Sequence, residues 1–218
     1  VEQFLEQAIL SGKWAPGDRL PSEREISTEM DVSRSVVREA LGRLASLGLV
    51  RSVHGSGTVV EVPSDRPITA GYRRLIQHRE LALRDLAAVR LPLETTIARL
   101  AALHRSDEHL VRMARTQEIL SSRRVSLDAH VQADLEFHAT LADASANPLF
   151  GVVLAPIQEL LIESRRRTLG RHGAELAHRH HAAILDAVRA RDASAADQAM
   201  REHLQANFEH LSAEDRSE

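Results

Sequence analysis

The sequence predicts a mostly α-helical protein in two parts: a small N-terminal domain carrying a β-hairpin, and a larger antiparallel bundle built of helices alone. Three observations carry this. Ala, Leu, Arg and Glu are abundant, against 10 Gly and 7 Pro in 218 residues, a balance that favours helix. Apolar residues recur at helical spacing along most of the chain, while residues 50–62 favour strand around a Gly-rich turn. Pro63-Ser64-Asp65-Arg66-Pro67 is polar, holds two prolines and separates that strand region from a wholly helical remainder. The expected boundaries are therefore 1–62 for the first domain, 63–67 for the linker and 68–218 for the bundle.

Composition excludes several classes. With 43% hydrophobic but 3% aromatic residues, the core must be aliphatic. The chain has no cysteine, which rules out disulfides and thiolate metal sites and fits a cytoplasmic protein. The longest apolar run, Phe150 to Ile157, is interrupted by Gly151 and Pro156 and is too short to span a membrane. No signal peptide is evident. The first residue is Val, so the native start is expected upstream. A net charge of −3 offers no general attraction for nucleic acid; any such partner must be met by a local basic cluster.

The elements follow in order. Residues 1–12 form a short helix with Phe4, Leu5, Ala8 and Ile9 inward, closed by Gly12. Pro16-Gly17 is a turn. Ser22 and Glu25 have the S-x-x-E spacing of a capping box and open a helix to about Met30. Ser33 caps the next helix, which ends at Gly48 and points Val37, Leu41 and Leu44 one way. Two helices joined by so short a link make a helix-turn-helix. Val50, Ser52 and Thr58 to Val62 favour strand, with a turn at His54-Gly55-Ser56-Gly57. A hairpin directly after the second helix reads as a wing.

The stretches PGDRLPSEREIS (16–27), VSRSVVREALGRLASLGLV (32–50) and HGSGTVV (54–60) resemble the GntR family of bacterial transcription regulators. Physical chemistry points the same way. Arg34 and Arg38 lie one turn apart at the start of the second helix, placed to meet base edges or phosphates in a major groove. Arg24 can reach a phosphate, and Ser33 and Ser35 can donate to phosphates from a helix N-terminus. The resemblance implies DNA contact at these positions and a wing tip, His54 and Gly55, entering the minor groove.

From residue 68 every signal is helical. A short helix spans 68–77. A long one spans 83–104, with Leu83, Leu86, Ala87, Arg90, Glu94, Ile97 and Ala101 on one stripe and a kink expected at Pro92. Ser106 caps a helix to about Arg123. Another spans 127–145. Asn147-Pro148 starts a helix to about Leu169, bent at Pro156, with Asn147 as its cap. Helices at about 174–190 and 193–211 complete a bundle. The segments VRLPLE (89–94), DLEFHATLADASANPLF (134–150), HAAILDAVRARD (181–192) and MREHL (200–204) resemble the FCD domain, the C-terminal sensor of the FadR subgroup.

Within the bundle, Asp134 and His138 stand at i and i+4 on a core-facing stripe. Such a pair can hold one ion, or it can be an ordinary ion pair. His181 lies on a stripe with Ile184, Leu185 and Val188, and His203 on one with Met200 and Leu204. One Asp and three His suit zinc first, with nickel, manganese or iron as alternatives. The resemblance implies this set, Asp134, His138, His181 and His203, as ligands of a divalent metal ion, and favours His181 over its neighbour His180. Arg90 also points inward. It either pairs with Glu94 or binds a small organic acid as effector.

Two functions follow as expectations. The first is a metabolite-responsive, DNA-binding transcription regulator, a homodimer on an inverted-repeat operator in double-stranded DNA, with no membrane partner. The alternative is a metal-dependent hydrolase or lyase with an accessory DNA-binding domain.

Overall fold

The computed structural model describes residues 1–53, 57–62, 66–79, 83–172 and 174–214. The chain divides into two compact units, Val1–Gly71 and Tyr72–Glu218. The division falls within a helix that spans Arg66–Arg79.

The first unit holds α1 (Glu2–Leu10), α2 (Glu23–Glu29), α3 (Arg34–Ser46), β1 (Val50–Val53) and β2 (Gly57–Val60). Leu5, Ala8 and Ile9 of α1 are buried, but Phe4 is not. Phe4 falls at the edge of that stripe and carries the Lys13 ammonium 5.5 Å from its ring centroid. The capping box forms as the spacing requires: Glu25 N–H donates to Ser22 Oγ, and Ser22 N–H donates to Glu25 Oε2 at 2.8 Å. The α2–α3 link turns through Asp31 at φ 51. It is closed by Ser27 Oγ donating to the Val32 carbonyl at 2.6 Å. Helix α3 ends as a Schellman motif, with Gly48 N–H donating to Ala45 O and Leu49 N–H to Leu44 O, both at 3.0 Å. Gly48 sits at φ 72, a conformation that a Cβ would penalise.

The hairpin pairs Val50 with Val60 and Ser52 with Thr58. The ladder stops at Val60, two residues short of the expected strand. The segment before α2 extends the sheet, because Leu20 N–H donates to Thr58 O and Val60 N–H to Asp18 O. These pieces share one aliphatic core that includes Leu5, Leu20, Ile26, Val37, Leu44 and Val60.

After α4 (Arg66–Arg79), the second unit comprises α5 (Leu83–His104), α6 (Asp107–Ser121), α7 (Leu127–Ala144), α8 (Pro148–Leu160), α9 (Ile162–His172), α10 (Ala174–Arg189) and α11 (Ala193–Glu214). Helix α5 packs on α11 and α7, and α10 on α11 and α6. Pro92 lies inside α5 without ending it. The expected single helix from Pro148 to Leu169 is two helices, and the break comes at Leu161, after Pro156 rather than at it. Arg165 Nη1 donates to the Gln158 carbonyl at 3.2 Å, which also accepts from the Leu161 N–H at 3.1 Å where α8 ends. Two helix ends are tied by arginines: Arg191 donates to the carbonyls of Leu103 and Arg105, and Arg105 to that of Arg189.

The bundle interior holds two apolar clusters. The larger includes Ile97, Met113, Phe137, Leu141, Ile184 and Met200. The smaller includes Leu120, Val131, Leu169 and Ala174. The buried polar residues described next lie on the same helices. Among the described residues, no helix is long and apolar enough to cross a membrane.

Candidate functional site

In the first unit, basic and hydroxyl side chains stand on the surface of α2 and α3. Arg24 on α2 and Arg34, Ser35 and Arg38 on α3 are all exposed. Ser33, also exposed, caps α3 by accepting from Val36 N–H at 3.4 Å, and its hydroxyl lies 2.8 Å from that of Ser35. Arg38 does not project freely. Its Nε donates to Glu23 Oε1 at 3.0 Å and its Nη2 to Oε2 at 2.7 Å, a bidentate fork. Arg34 stands 3.7 Å from the same carboxylate. The Arg38 hydrogen bond, with Arg34 adding its charge, holds the Glu23 carboxyl below the usual carboxylate range. Sequence reasoning missed Glu23. His54 and Gly55 lie outside the described residues.

In the second unit, Asp134 and His138 from α7, His181 from α10 and His203 from α11 converge. All four are buried, and each offers one ligand atom within 4.8 Å of the other three. Ligands set tetrahedrally round an ion with bonds of about 2.1 Å would stand about 3.4 Å apart, so an ion would draw the widest-spaced of these side chains inward by about an ångström. The rings sit in mutual contact: His181 stacks on Phe137 with centroids 4.1 Å apart, and His203 lies 4.7 Å from His181. His180, the competitor of His181, is half-buried, its ring centroid 5.8 Å from that of His203.

This layer contains more than the four. Arg90 Nε donates to Glu94 Oε1 at 2.5 Å, both residues being buried. The other Glu94 oxygen lies against His138 Nδ1. Asp134 Oδ2 lies against Arg165 Nε, and Asp134 Oδ1 is 3.4 Å from His181 Nε2. Burial alone would raise the Asp134 carboxyl, but Arg165, then His181, His138 and Arg90, hold it below its ordinary value. Burial drives Glu94 the same way, and Arg90 and His138 overcome it. Burial pushes His181 down to about 3 and His203 well below its ordinary value. Both imidazoles are therefore neutral near pH 7, the state in which a metal can take them.

The fit to an ion is tested by buried polar atoms left without a hydrogen bond. Among the described residues, His138 Nε2 and both ring nitrogens of His181 make no hydrogen bond, and neither do the Nη2 atoms of Arg90 and Arg165. Leaving buried polar atoms unsatisfied is costly, roughly 1–3 kcal/mol each. An ion on the imidazoles and an anion on the guanidiniums would relieve both sets. The residues present thus fit a divalent metal. The Arg90–Glu94 pair forms, and Arg90 still keeps an unspent donor. Asn147 acts as the cap expected of it, its Oδ1 accepting from Leu149 N–H at 3.1 Å.

Residues 1–60 match the family model described as bacterial regulatory proteins, gntR family, and residues 85–206 match that of the FCD domain. The HTH-type transcriptional repressor NanR of Salmonella newport is 33% identical over 211 residues, covering 94% of this chain and 81% of its own. NanR of Escherichia coli K12 is also 33% identical, with 94% and 80% covered. The solved Streptococcus agalactiae GntR superposes with a TM-score of 0.75 at 28% identity over 96% of this chain and 97% of its own. Escherichia coli McbR/YncC shares the fold, with a TM-score of 0.52 at 17% identity, 98% of this chain and 95% of that one being covered. These relatives set aside the hydrolase or lyase alternative: this is a transcriptional regulator rather than an enzyme. The chain belongs to the GntR family of bacterial regulatory proteins and carries a C-terminal FCD domain.

Proposed function

We propose that this regulator is a homodimeric repressor released from an inverted-repeat operator by a small organic acid, which binds beside a divalent metal ion in the bundle. Arg34 and Arg38 read the major groove, with Arg24, Ser33 and Ser35 on phosphates and His54 and Gly55 at the wing. Asp134, His138, His181 and His203 hold the ion, zinc first. Bound there, the ion supplies a Lewis-acid position for a carboxylate oxygen.

The observation that carries this reading is the charge balance of the buried layer. Two carboxylates, Asp134 and Glu94, face two guanidiniums, Arg165 and Arg90, while His181 and His203 are neutral. Adding a divalent ion leaves an uncompensated positive charge in a buried layer. Two unspent guanidinium donors stand in that same layer. An acid answers both demands. Coupling to DNA then needs only that the acid bind one arrangement of the dimer better than the other.

The test is operator binding by fluorescence anisotropy, with and without zinc and a panel of organic acids. One acid is expected to weaken binding in the wild type and to have no effect in His138→Ala, whose DNA affinity without acid stays unchanged. If His138→Ala responds like the wild type, the site reading is wrong.

A further inference from the structure

The three imidazoles of the buried layer are held in different ways. His181 stacks on Phe137, and neither of its ring nitrogens makes a hydrogen bond among the described residues. The carboxylate beside it, 3.4 Å from Nε2, is that of Asp134, itself a candidate ligand. His203 Nε2 stands 3.3 Å from the amide nitrogen of Asn207, one turn on along α11, a neutral partner. His138 differs from both. Its Nδ1 lies against Glu94 Oε2, while its Nε2 is buried and makes no hydrogen bond among the described residues.

Glu94 has the placement of a support rather than of a ligand. It stands on α5, which packs on α7, one turn after Arg90. Its Oε1 accepts from Arg90 Nε at 2.5 Å, and its Oε2 faces His138. Both oxygens are spent, and Glu94 is not one of the four residues whose ligand atoms converge. The Glu94 and His138 side chains are 1% and 0% exposed, so water does not compete for the contact. A carboxylate that accepts from one ring nitrogen fixes the tautomer and the plane of the ring. It also makes the other nitrogen a better donor of its electron pair to a metal.

We propose that Glu94 is a positioning residue for the metal: it holds the His138 proton on Nδ1 and so presents Nε2 to the ion, with Arg90 fixing Glu94 in turn. The inference rests on the metal reading above. The line from Arg90 through Glu94 to His138 ties a ligand on α7 to a fixed point on α5, so the ring needs little rearrangement when the ion arrives.

Two measurements on the full chain test it. The first is the His138 tautomer in the metal-free wild type at mildly alkaline pH. It is read from long-range proton–nitrogen spectra of histidine-labelled protein, with the His138 signals identified by their loss in His138→Gln. Protonation at Nδ1 is expected; protonation at Nε2 overturns the assignment and leaves the metal reading standing. The second is zinc affinity by competition with a chromophoric chelator, on variants whose circular dichroism matches the wild type. Glu94→Gln keeps the shape and removes the charge, and is expected to weaken zinc about 10- to 100-fold. Arg90→Leu with Glu94→Leu removes both charges together, so that no guanidinium is stranded, and should weaken zinc at least as much. His138→Ala, which deletes a ligand, should cost more than either. Zinc affinity unchanged in both Glu94 variants overturns the proposal, and so does a loss in Glu94→Gln as large as that in His138→Ala, which would make Glu94 a ligand. Failure of the wild type to take zinc overturns the metal reading and this inference with it.

Discussion

The same pair of side chains, arginine and carboxylate, is used in both units to opposite ends. In Val1–Gly71, Glu23 grips Arg38 on the surface, with the two side chains 30% and 66% exposed. In Tyr72–Glu218, Arg165 grips Asp134 at 10% and 7% exposure. Water and salt screen the first pair, which can be exchanged for another anion at little cost. The second sits where an unpartnered charge is prohibitive. A surface fork can aim a guanidinium and still release it to DNA. A buried fork must be held until something of equal charge takes its place. The two pairs differ in dielectric surroundings rather than in residue type, as the proposed DNA-reading and effector-sensing roles require.

The largest expected effect breaks the buried half of the comparison. Arg165→Met strands the Asp134 carboxylate and should cost about 3–5 kcal/mol of stability without metal, read as a fall in the urea midpoint. Zinc should restore most of the loss, because the ion replaces the guanidinium as counter-charge. A midpoint that zinc does not raise more in the variant than in the wild type would count against Asp134 as a ligand.

Next comes the surface half. The double substitution Arg34→Ala and Arg38→Ala should leave the thermal transition in place and remove specific operator binding. Each arginine that makes a bidentate base contact is worth roughly a tenfold to hundredfold discrimination. Anisotropy with operator and with scrambled DNA measures it. Unchanged discrimination would mean that α3 is not the reading helix.

Much of this was legible in the sequence, and the reason is locality. The Ser22–Glu25 box, the Ser33 cap and the Asn147 cap join groups two or three residues apart, so spacing alone specifies them. Asp134 and His138, and the inward phases of His181 and His203, follow from helical period. Arg165 did not show. It sits in a run, Ser164 to Arg167, that reads as a solvated charged face. Its burial depends on the break at Leu161, which resets the phase of α9 relative to α8. Glu23 reads as an ordinary acidic residue in a first helical turn, and its partner Arg38 is fifteen residues away. The expected burial of Phe4 failed for a related reason: one position at the edge of a stripe is decided by what packs opposite, not by period.

A subtler change keeps every arginine and alters only how one is held. Glu23→Gln removes the charge of the fork and retains its shape. Without the carboxylate, Arg38 loses the partner that fixes its plane, and the surface loses one negative charge near the phosphates. Affinity for scrambled DNA is expected to rise slightly while operator affinity falls, so that their ratio narrows by several fold. The salt dependence should steepen, since counterion release follows the phosphate contacts made. If Glu23 merely capped α2 through its charge, both affinities would move together and the ratio would stay fixed.

The smallest expected effect concerns a residue that sits beside the buried polar layer in sequence but outside its chemistry. Asn147 is exposed, and its side-chain oxygen is spent on the Leu149 amide. Asn147→Ala should therefore cost about 1 kcal/mol, the worth of an N-cap, seen as a melting shift of a few degrees. Zinc and acid titrations should be superimposable on the wild type. A selective loss of acid response would draw Asn147 into the pocket, and the α7–α8 corner would then belong to the sensing core rather than to the scaffold around it.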